Sequence, residues 1–450
     1  MRPLRQVRQE RGWSRARLAH ELERRAEGLH TLAKRVSLVR MISAWESGER
    51  DPSEPYRSLL CAAYRRSAEE LGLGGEVNRY RSDIGLTYSP SLHETVLTLR
   101  GLAHLDEIKH TAVTHGKYMP EALNSACLDW LFGDAVNDLP QLEIKSVTSH
   151  DVDEIRAMTR AFDGLDRSFG GEHCRMLAVR YLQDRAIPML RAPKPARIER
   201  EMFDVAAILC ELIGWMAYDT SRHSLAQRYF TQALRLAEAA GNRAYAAYVI
   251  ASMADQALYL ARPGQALRLA QVAGNISNRV GVPVVTTEAL MLEARAHAVQ
   301  GDAQACRAAL ERAERSFHRG RPEIAPEWAS HWDDKLFASH VGTCWLELGE
   351  LNAARTFMGT AWDREEKQGR RYVYAASQLA HVALLQGEIE EAASLATTAV
   401  QSARGLTSHR SKSHLTALRK QLLPHAQVAY VREFEQKTQA LEGRRSSLLQ

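Results

Sequence analysis

The chain has 450 residues, 45% of them hydrophobic and 25% charged, which predicts two or three domains with a full apolar core and excludes collagen-like, disulfide-scaffold and wholly disordered chains. Ala, Leu, Arg and Glu are abundant beside 14 Pro and 27 Gly, so the expected fold class is all-α. The net charge of +5 is uneven: residues 1–82 carry 17 Lys and Arg against 11 Asp and Glu, whereas the rest carries 42 against 43. No run of about 18 apolar residues occurs and the start, Met1-Arg2-Pro3-Leu4-Arg5, lacks the apolar core of a signal peptide, so a cytoplasmic protein without a membrane partner is expected.

The basic first fifth, residues 1–82, reads as a module for a polyanion. Leu4 and Val7 open a short helix that ends at Gly12-Trp13-Ser14. Ser14 caps a second helix with Leu18, Ala19 and Leu22 on one face. A third helix, from about Ser37 to Ser47, has Leu38, Ile42 and Trp45 on its back and Ser37, Arg40, Ser43 and Ala44 on its front. Short front side chains let a helix axis come close to the major groove, where an arginine can fork onto guanine.

Trp13-Ser14, Leu18-Ala19 and the block Ile42-Ser43-Ala44-Trp45-Glu46-Ser47-Gly48-Glu49-Arg50-Asp51-Pro52-Ser53 resemble the helix-turn-helix of XRE-type regulators, followed by a further amphipathic helix over Tyr56 to Leu71. Leu18 and Ile42 stand 24 residues apart where the family's tight unit has about 11, so helix 2 is expected to run on through Glu21 to Ala26. The resemblance implies a double-stranded DNA partner and candidate contacts at Arg15, Arg17, Lys34, Arg35, Ser37, Arg40, Ser43, Ala44 and Arg50.

Residues 83–200 read as a helical connecting region, for dimerisation or as divergent repeats. A linker is expected around Asp83 to His93, helices over Ser91 to His104, Pro120 to Phe132 and Val152 to Phe169, a stop at Gly170-Gly171, and a second break at Arg191 to Arg197. From about residue 201 the chain repeats. Ala226, Ala266, Cys306, Ala354 and Ala392 stand 40, 40, 48 and 38 residues apart; seven positions after each comes an alanine, and twelve before comes Gly214, Ala254, Ala294, Gly342 or Ala380. Small residues in fixed register are what stacked helical hairpins need where helices cross.

This register, with Gly214, Trp215, Tyr218, Ala226, Phe230 and Ala233 as its fullest copy, resembles the tetratricopeptide repeat and implies an α-solenoid over residues 201–450, with capping helices over Leu415 to Leu441. In such hairpins the first helix lines the concave wall. The positions three before and one after the crossing residue, with neighbours one turn away, then form an effector groove. These are Glu211, Trp215, Tyr218, Tyr248, Ala251, Asp255, Glu288, Met291, Arg295, Ser339, Thr343, Tyr374, Ser377 and His381. That mixed wall suits a peptide or a small amphipathic molecule. The two resemblances together imply a transcriptional regulator, similar to a class of actinobacterial regulators and in architecture to peptide-responsive quorum-sensing regulators, acting as a homodimer. A repeat scaffold with a weak nucleic-acid-binding head is the alternative.

Cys61, Cys127, Cys174, Cys210, Cys306 and Cys344 form no CxxC, no HExxH is present, and His104, His110 and His115 do not share a helical face, so neither metal nor other cofactor is expected. The chain has no P-loop, GxSxG or glycine-rich phosphate loop, and no enzymatic activity is expected.

Overall fold

The computed structural model describes residues 3–26, 32–47, 55–64, 83–141, 146–320, 325–362 and 369–447, together with Pro52, Arg66 and Leu71. Among these the fold is all-α, and the only strand-like pairing is an isolated bridge between Ser91 and Val136. Two units emerge, Met1–Asp83 and Ile84–Gln450. No described helix is long and apolar enough to cross a membrane.

The first unit holds α1 (Pro3–Glu10), α2 (Arg15–Ala26), α3 (Arg35–Ser47) and α4 (Tyr56–Tyr64). The Ser14 hydroxyl accepts from the Arg17 backbone N–H at 3.1 Å and starts α2. Leu4, Leu18, Leu22, Leu38, Ile42, Trp45 and Leu60 are buried together, because their spacings put them on the inward stripe of each helix. Helix α4 is described as far as Tyr64; most of the stretch expected to carry it on to Leu71 lies outside the described residues.

In the second unit α5 (Leu92–Glu107) starts at the Ser91 cap, and α6 (Thr111–Thr114) and α7 (Pro120–Phe132) follow. Helix α8 (Ser149–Phe169) opens on a capping box in which the Thr148 N–H and hydroxyl donate to Asp151 at 2.8 and 2.7 Å. Next come α9 (Arg175–Tyr181) and, after a π turn, α10 (Ile187–Leu190). The expected linker near Asp83 to His93 is not one. Ile84, Leu86 and Tyr88 are buried, and the carbonyls of this stretch of turns are capped by side chains of a later helix, α12 (His223–Ala240). Arg228 donates to the Ile84 carbonyl, Gln232 to Gly85 at 3.0 Å, and Arg235 to Ser89 and Pro90 at 3.0 and 2.9 Å. Gly and Pro here break a helix without freeing the chain, because buried donors on α12 satisfy the backbone.

Consecutive helices then pack as antiparallel hairpins: α11 (Ala196–Asp219) with α12, α13 (Arg243–Tyr259) with α14 (Pro263–Val280), α15 (Pro283–Val299) with α16 (Ala303–Arg319), α17 (Asp334–Glu347) with α18 (Leu351–Ala361), and α19 (Arg370–Leu385) with α20 (Ile389–Ser402). This is solenoid-like packing. The small residues of the register are its crossings: Ala226, Ala254, Ala266, Ala294, Cys306, Ala354, Ala380 and Ala392 are completely buried. A Cβ on Gly214 would lie 2.8 Å from the Phe230 ring. Five residues before each anchor the hairpin turn takes a positive φ, at Ser221, Ala261, Gly301, Gly349 and Gly387. The register therefore extends to the backbone.

Helices α21 (His409–Leu422) and α22 (Ala429–Ser447) cover the end of the array through Leu415, Leu418, Val431 and Phe434. The end also returns to the start. Arg370 on α19 pairs with Asp166 on α8 at 2.7 Å and with Asp219 on α11 at 3.2 Å. The Thr407 N–H donates to the Phe169 carbonyl at 2.7 Å and the Ser408 hydroxyl to Asp219 at 2.8 Å. None of the six cysteines forms a disulfide; Cys61 is half-buried and the others are buried.

Candidate functional site

Two places gather polar chemistry. In the first unit α3 keeps Leu38, Ile42 and Trp45 inward, which leaves Ser37 and Arg40 exposed and Ser43 and Ala44 half-exposed on the opposite face. Glu46 anchors the helix from behind. Its buried carboxylate accepts from Arg8 Nη2 at 3.1 Å and Arg15 Nε at 2.8 Å. Burial pushes the Glu46 carboxyl up, but the two guanidiniums outweigh it and hold the group below the usual glutamate range. Arg8 also caps the Trp13 carbonyl at 2.6 Å, and Arg11 caps Ala63 and Tyr64 at 2.9 and 2.7 Å.

Part of the basic charge of the module is thus used internally. Arg15 is held by Glu46, and Arg35 by Glu23 at 2.8 Å. Among the described residues Arg17, Lys34 and Arg40 are exposed and make no ion pair. Arg50 lies outside the described residues. Val36, which sequence reasoning did not single out, is 70% exposed at the start of α3 beside Ser37.

The second place is a cavity of about 490 Å³ within the hairpin array of the second unit, partly open to solvent. The first helix of every hairpin contributes to it, and so do α8, α21 and the segment before α17. Eight of the groove residues named from the register line it: Trp215, Tyr248, Asp255, Glu288, Arg295, Ser339, Thr343 and Tyr374. Tyr218 stands just behind, its hydroxyl donating to Asp255 at 3.1 Å.

The remaining groove positions do not reach the cavity. Glu211 is buried between helices, accepting from Ser252 at 2.8 Å and Tyr245 at 3.4 Å. Met291 packs in the core with Ala294, Cys306 and Leu310, and Ala251 is completely buried. The Ser377 hydroxyl donates to its own helix at Val373, and His381 is half-buried away from the cavity. For Glu211, Ala251, Met291 and Ser377 the cause is rotational: at 100° per residue, one step forward and three steps back differ by about 40° around the helix, enough to move a side chain from the cavity into the seam between hairpins. Ser339, also three steps back, still reaches the cavity, and rotation does not account for His381, one step forward.

The register could not foresee three contributors. Arg410 and His414 come from α21, Asp163 and Arg167 from α8, and His331 and Trp332 from the segment joining α16 to α17. The last had a signal, since the repeat spacing there is 48 rather than 40 residues, and the excess holds Trp328, His331 and Trp332.

Electrostatically the cavity is mixed. Asp255 lies between two cations, Arg295 Nη1 at 3.3 Å and Arg410 Nη1 at 3.7 Å. Burial raises its carboxyl, but Arg410 and then Arg295 outweigh that and keep it ionised below the usual aspartate range. Burial pushes His340 and His331 down to about 3 and His414 to about 4, with neighbouring arginines adding to the effect, so all three rings are neutral. Glu288 accepts from the Trp332 indole at 3.0 Å, yet burial lifts its carboxyl to about 8. Among the described residues no group of three His, Cys, Asp or Glu is placed to hold a metal ion. No protein-family model matches the chain, and no curated protein matches it.

Proposed function

We propose that the chain is a sequence-specific DNA-binding transcriptional regulator of the cytoplasm, in which Met1–Asp83 reads duplex DNA and the hairpin array of Ile84–Gln450 binds an effector. The observation that carries this is the front of α3: Ser37 and Arg40 exposed, the back locked by buried Leu38, Ile42 and Trp45, and the cations Arg17, Lys34 and Arg40 without an internal ion pair among the described residues. Unpaired cations on and beside a helix with a locked back suit a phosphate and base-edge partner. The resemblance of Ile42 to Ser53 to the XRE-type motif, and of the repeat register to tetratricopeptide hairpins, supports the same reading. One recognition helix reads few base pairs, so the regulator acts as a dimer on paired half-sites.

The test is selection of bound duplexes from a random pool by the full-length protein, followed by titration of the enriched sequence at several salt concentrations. Affinity should fall steeply with salt. Arg40→Ala should cost about 1–3 kcal/mol and relax base choice at one position, while Arg17→Ala should weaken all duplexes alike. A pool that yields no enriched sequence, or an Arg40→Ala variant with unchanged preference, refutes the assignment.

A further inference from the structure

We propose that the effector of this cavity is a small organic acid, with one anionic group seated between Arg295 and Arg410 and an aromatic or alicyclic body lying toward Trp332. The inference rests on reading the array as the effector-binding unit and adds the chemical class of the ligand.

The first argument is unspent hydrogen-bonding capacity. A guanidinium carries five N–H donors. Arg410 lines the cavity with Trp215, Tyr218 and Tyr259 around it, its Cζ 5.3, 4.5 and 5.9 Å from their ring centroids, and its one ion-pair partner is Asp255 at 3.7 Å. Among the described residues it makes no hydrogen bond. Arg295 donates once, to Asp255, and its Nε is buried without a partner among the described residues. Two fixed cations therefore share a single carboxylate. The nearby His340 and His414 rings are neutral, and the other carboxylate that acts on Arg410, Asp219, is itself ion-paired to Arg370, so the two guanidiniums keep donors to spare. Aromatic rings fix the planes of Arg410, so an incoming anion would meet a donor edge that needs little reorganisation.

The second argument is shape. Arg295 and Glu288 lie on α15 seven residues apart, about 10 Å along the helix. Between them the wall is Leu292, and Trp332 donates to Glu288 at 3.0 Å and stacks on His340 with centroids 5.2 Å apart. The far carboxyl, Glu288, is protonated near neutral pH and does not repel an anion. A volume of about 490 Å³ is that of a site for a drug-sized molecule, too small for a long extended peptide.

The probe is 8-anilino-1-naphthalenesulfonate, an aromatic anion of matching size, set against N-phenyl-1-naphthylamine, the same rings without the charge. On the full-length protein the sulfonate should bind saturably, one per chain, at least tenfold more tightly than the neutral amine. Arg410→Gln and Arg295→Met should each weaken the sulfonate about 10- to 100-fold, the span of one charge-assisted hydrogen bond, and leave the amine within about twofold. Ser339→Trp removes no charge but fills the cavity, and should weaken both probes. Circular dichroism melting shows whether each variant is folded, and the two arginines test the point independently. Indole-3-acetate should displace the sulfonate where a heptapeptide does not. The proposal is overturned if binding is not saturable, if the two probes bind alike, if neither arginine variant affects the sulfonate, or if only the peptide displaces it. Duplex binding is measured on the same samples: its loss in the unsubstituted protein sinks the reading of α3, while the probe results judge the cavity alone.

Discussion

Removal of Arg370 tests the contact that brings the end of the array back to its start. The Arg370 side chain is 17% exposed and its partners Asp166 and Asp219 are 1% and 0% exposed, so the pairs are effectively buried. Arg370→Met leaves the carboxylates unequally provided for. Asp219 keeps the Ser408 hydroxyl at 2.8 Å and the Gly171 N–H at 3.2 Å, whereas Asp166 loses both of its side-chain hydrogen bonds. Breaking one side of a buried pair costs about 3–5 kcal/mol, most of it the desolvation of the charge left behind. Neutralising that charge as well should recover most of the loss, so Arg370→Met with Asp166→Asn should lie within about 1–2 kcal/mol of the unsubstituted protein. Urea unfolding followed by tryptophan fluorescence measures the stabilities, with Trp215 reporting at 6.0 Å from the Arg370 guanidinium. Hydrogen exchange should locate the single variant's loss in residues 166–171 and 407–411. An Arg370→Met variant that loses less than about 1 kcal/mol, or a double variant no better than the single one, refutes the reasoning.

Three further outcomes follow from the same geometry. Burial raises Glu288 to about 8 and Glu211 to about 7, so the folded protein holds protons that the unfolded chain has lost; below about 6.5 the neutral His331, His340 and His414 act in the opposite sense, so stability should decline as pH rises from about 6.5 toward 8. Glu288→Gln should flatten the part of a melting-temperature profile between pH 7 and 8, and an unchanged slope there would contradict the assignment. Ala261 sits at φ 56° where three of the five equivalent turns have glycine, so Ala261→Gly should stabilise by about 0.5–1 kcal/mol in urea unfolding, and a loss would show that the turn is not strained. A Cβ on Gly171 would lie 2.6 Å from the Met216 carbonyl oxygen, a backbone atom that cannot swing aside, so Gly171→Ala should cost about 1–3 kcal/mol, which the same denaturation series checks.

The parts of this structure that were legible in the sequence are those set by local spacing. Small residues at fixed intervals located the helix crossings, since close approach admits nothing larger, and the inward stripe of α3 followed from Leu38, Ile42 and Trp45 alone. Positions one after a crossing gave Trp215, Asp255, Arg295 and Thr343 on the cavity wall but not His381, whereas those three before held at Ser339 and failed at Glu211, Ala251, Met291 and Ser377 through a rotation of about 40°. What local spacing cannot carry is contact between distant parts of the chain. Arg410 is an ordinary basic residue on an ordinary helix until the array brings α21 back against α11 and α13, and the stretch from Ile84 to Pro90 reads as a break until Arg228 and Arg235 are found capping its carbonyls.

The return of the array to its start also bears on how the chain reaches this state. In an open stack each hairpin touches only its neighbours, so stability accumulates as a nearest-neighbour sum and the terminal units fray first. Here the bond from Thr407 to the Phe169 carbonyl joins residues 238 positions apart. Such a link forms only after almost the whole unit has been synthesised, and its loop entropy is recovered only when every intervening hairpin is in register. The first and last units then stabilise one another, so unfolding becomes a concerted event rather than a peeling from the ends. A truncation that trims one terminal hairpin would therefore weaken the opposite terminus as well.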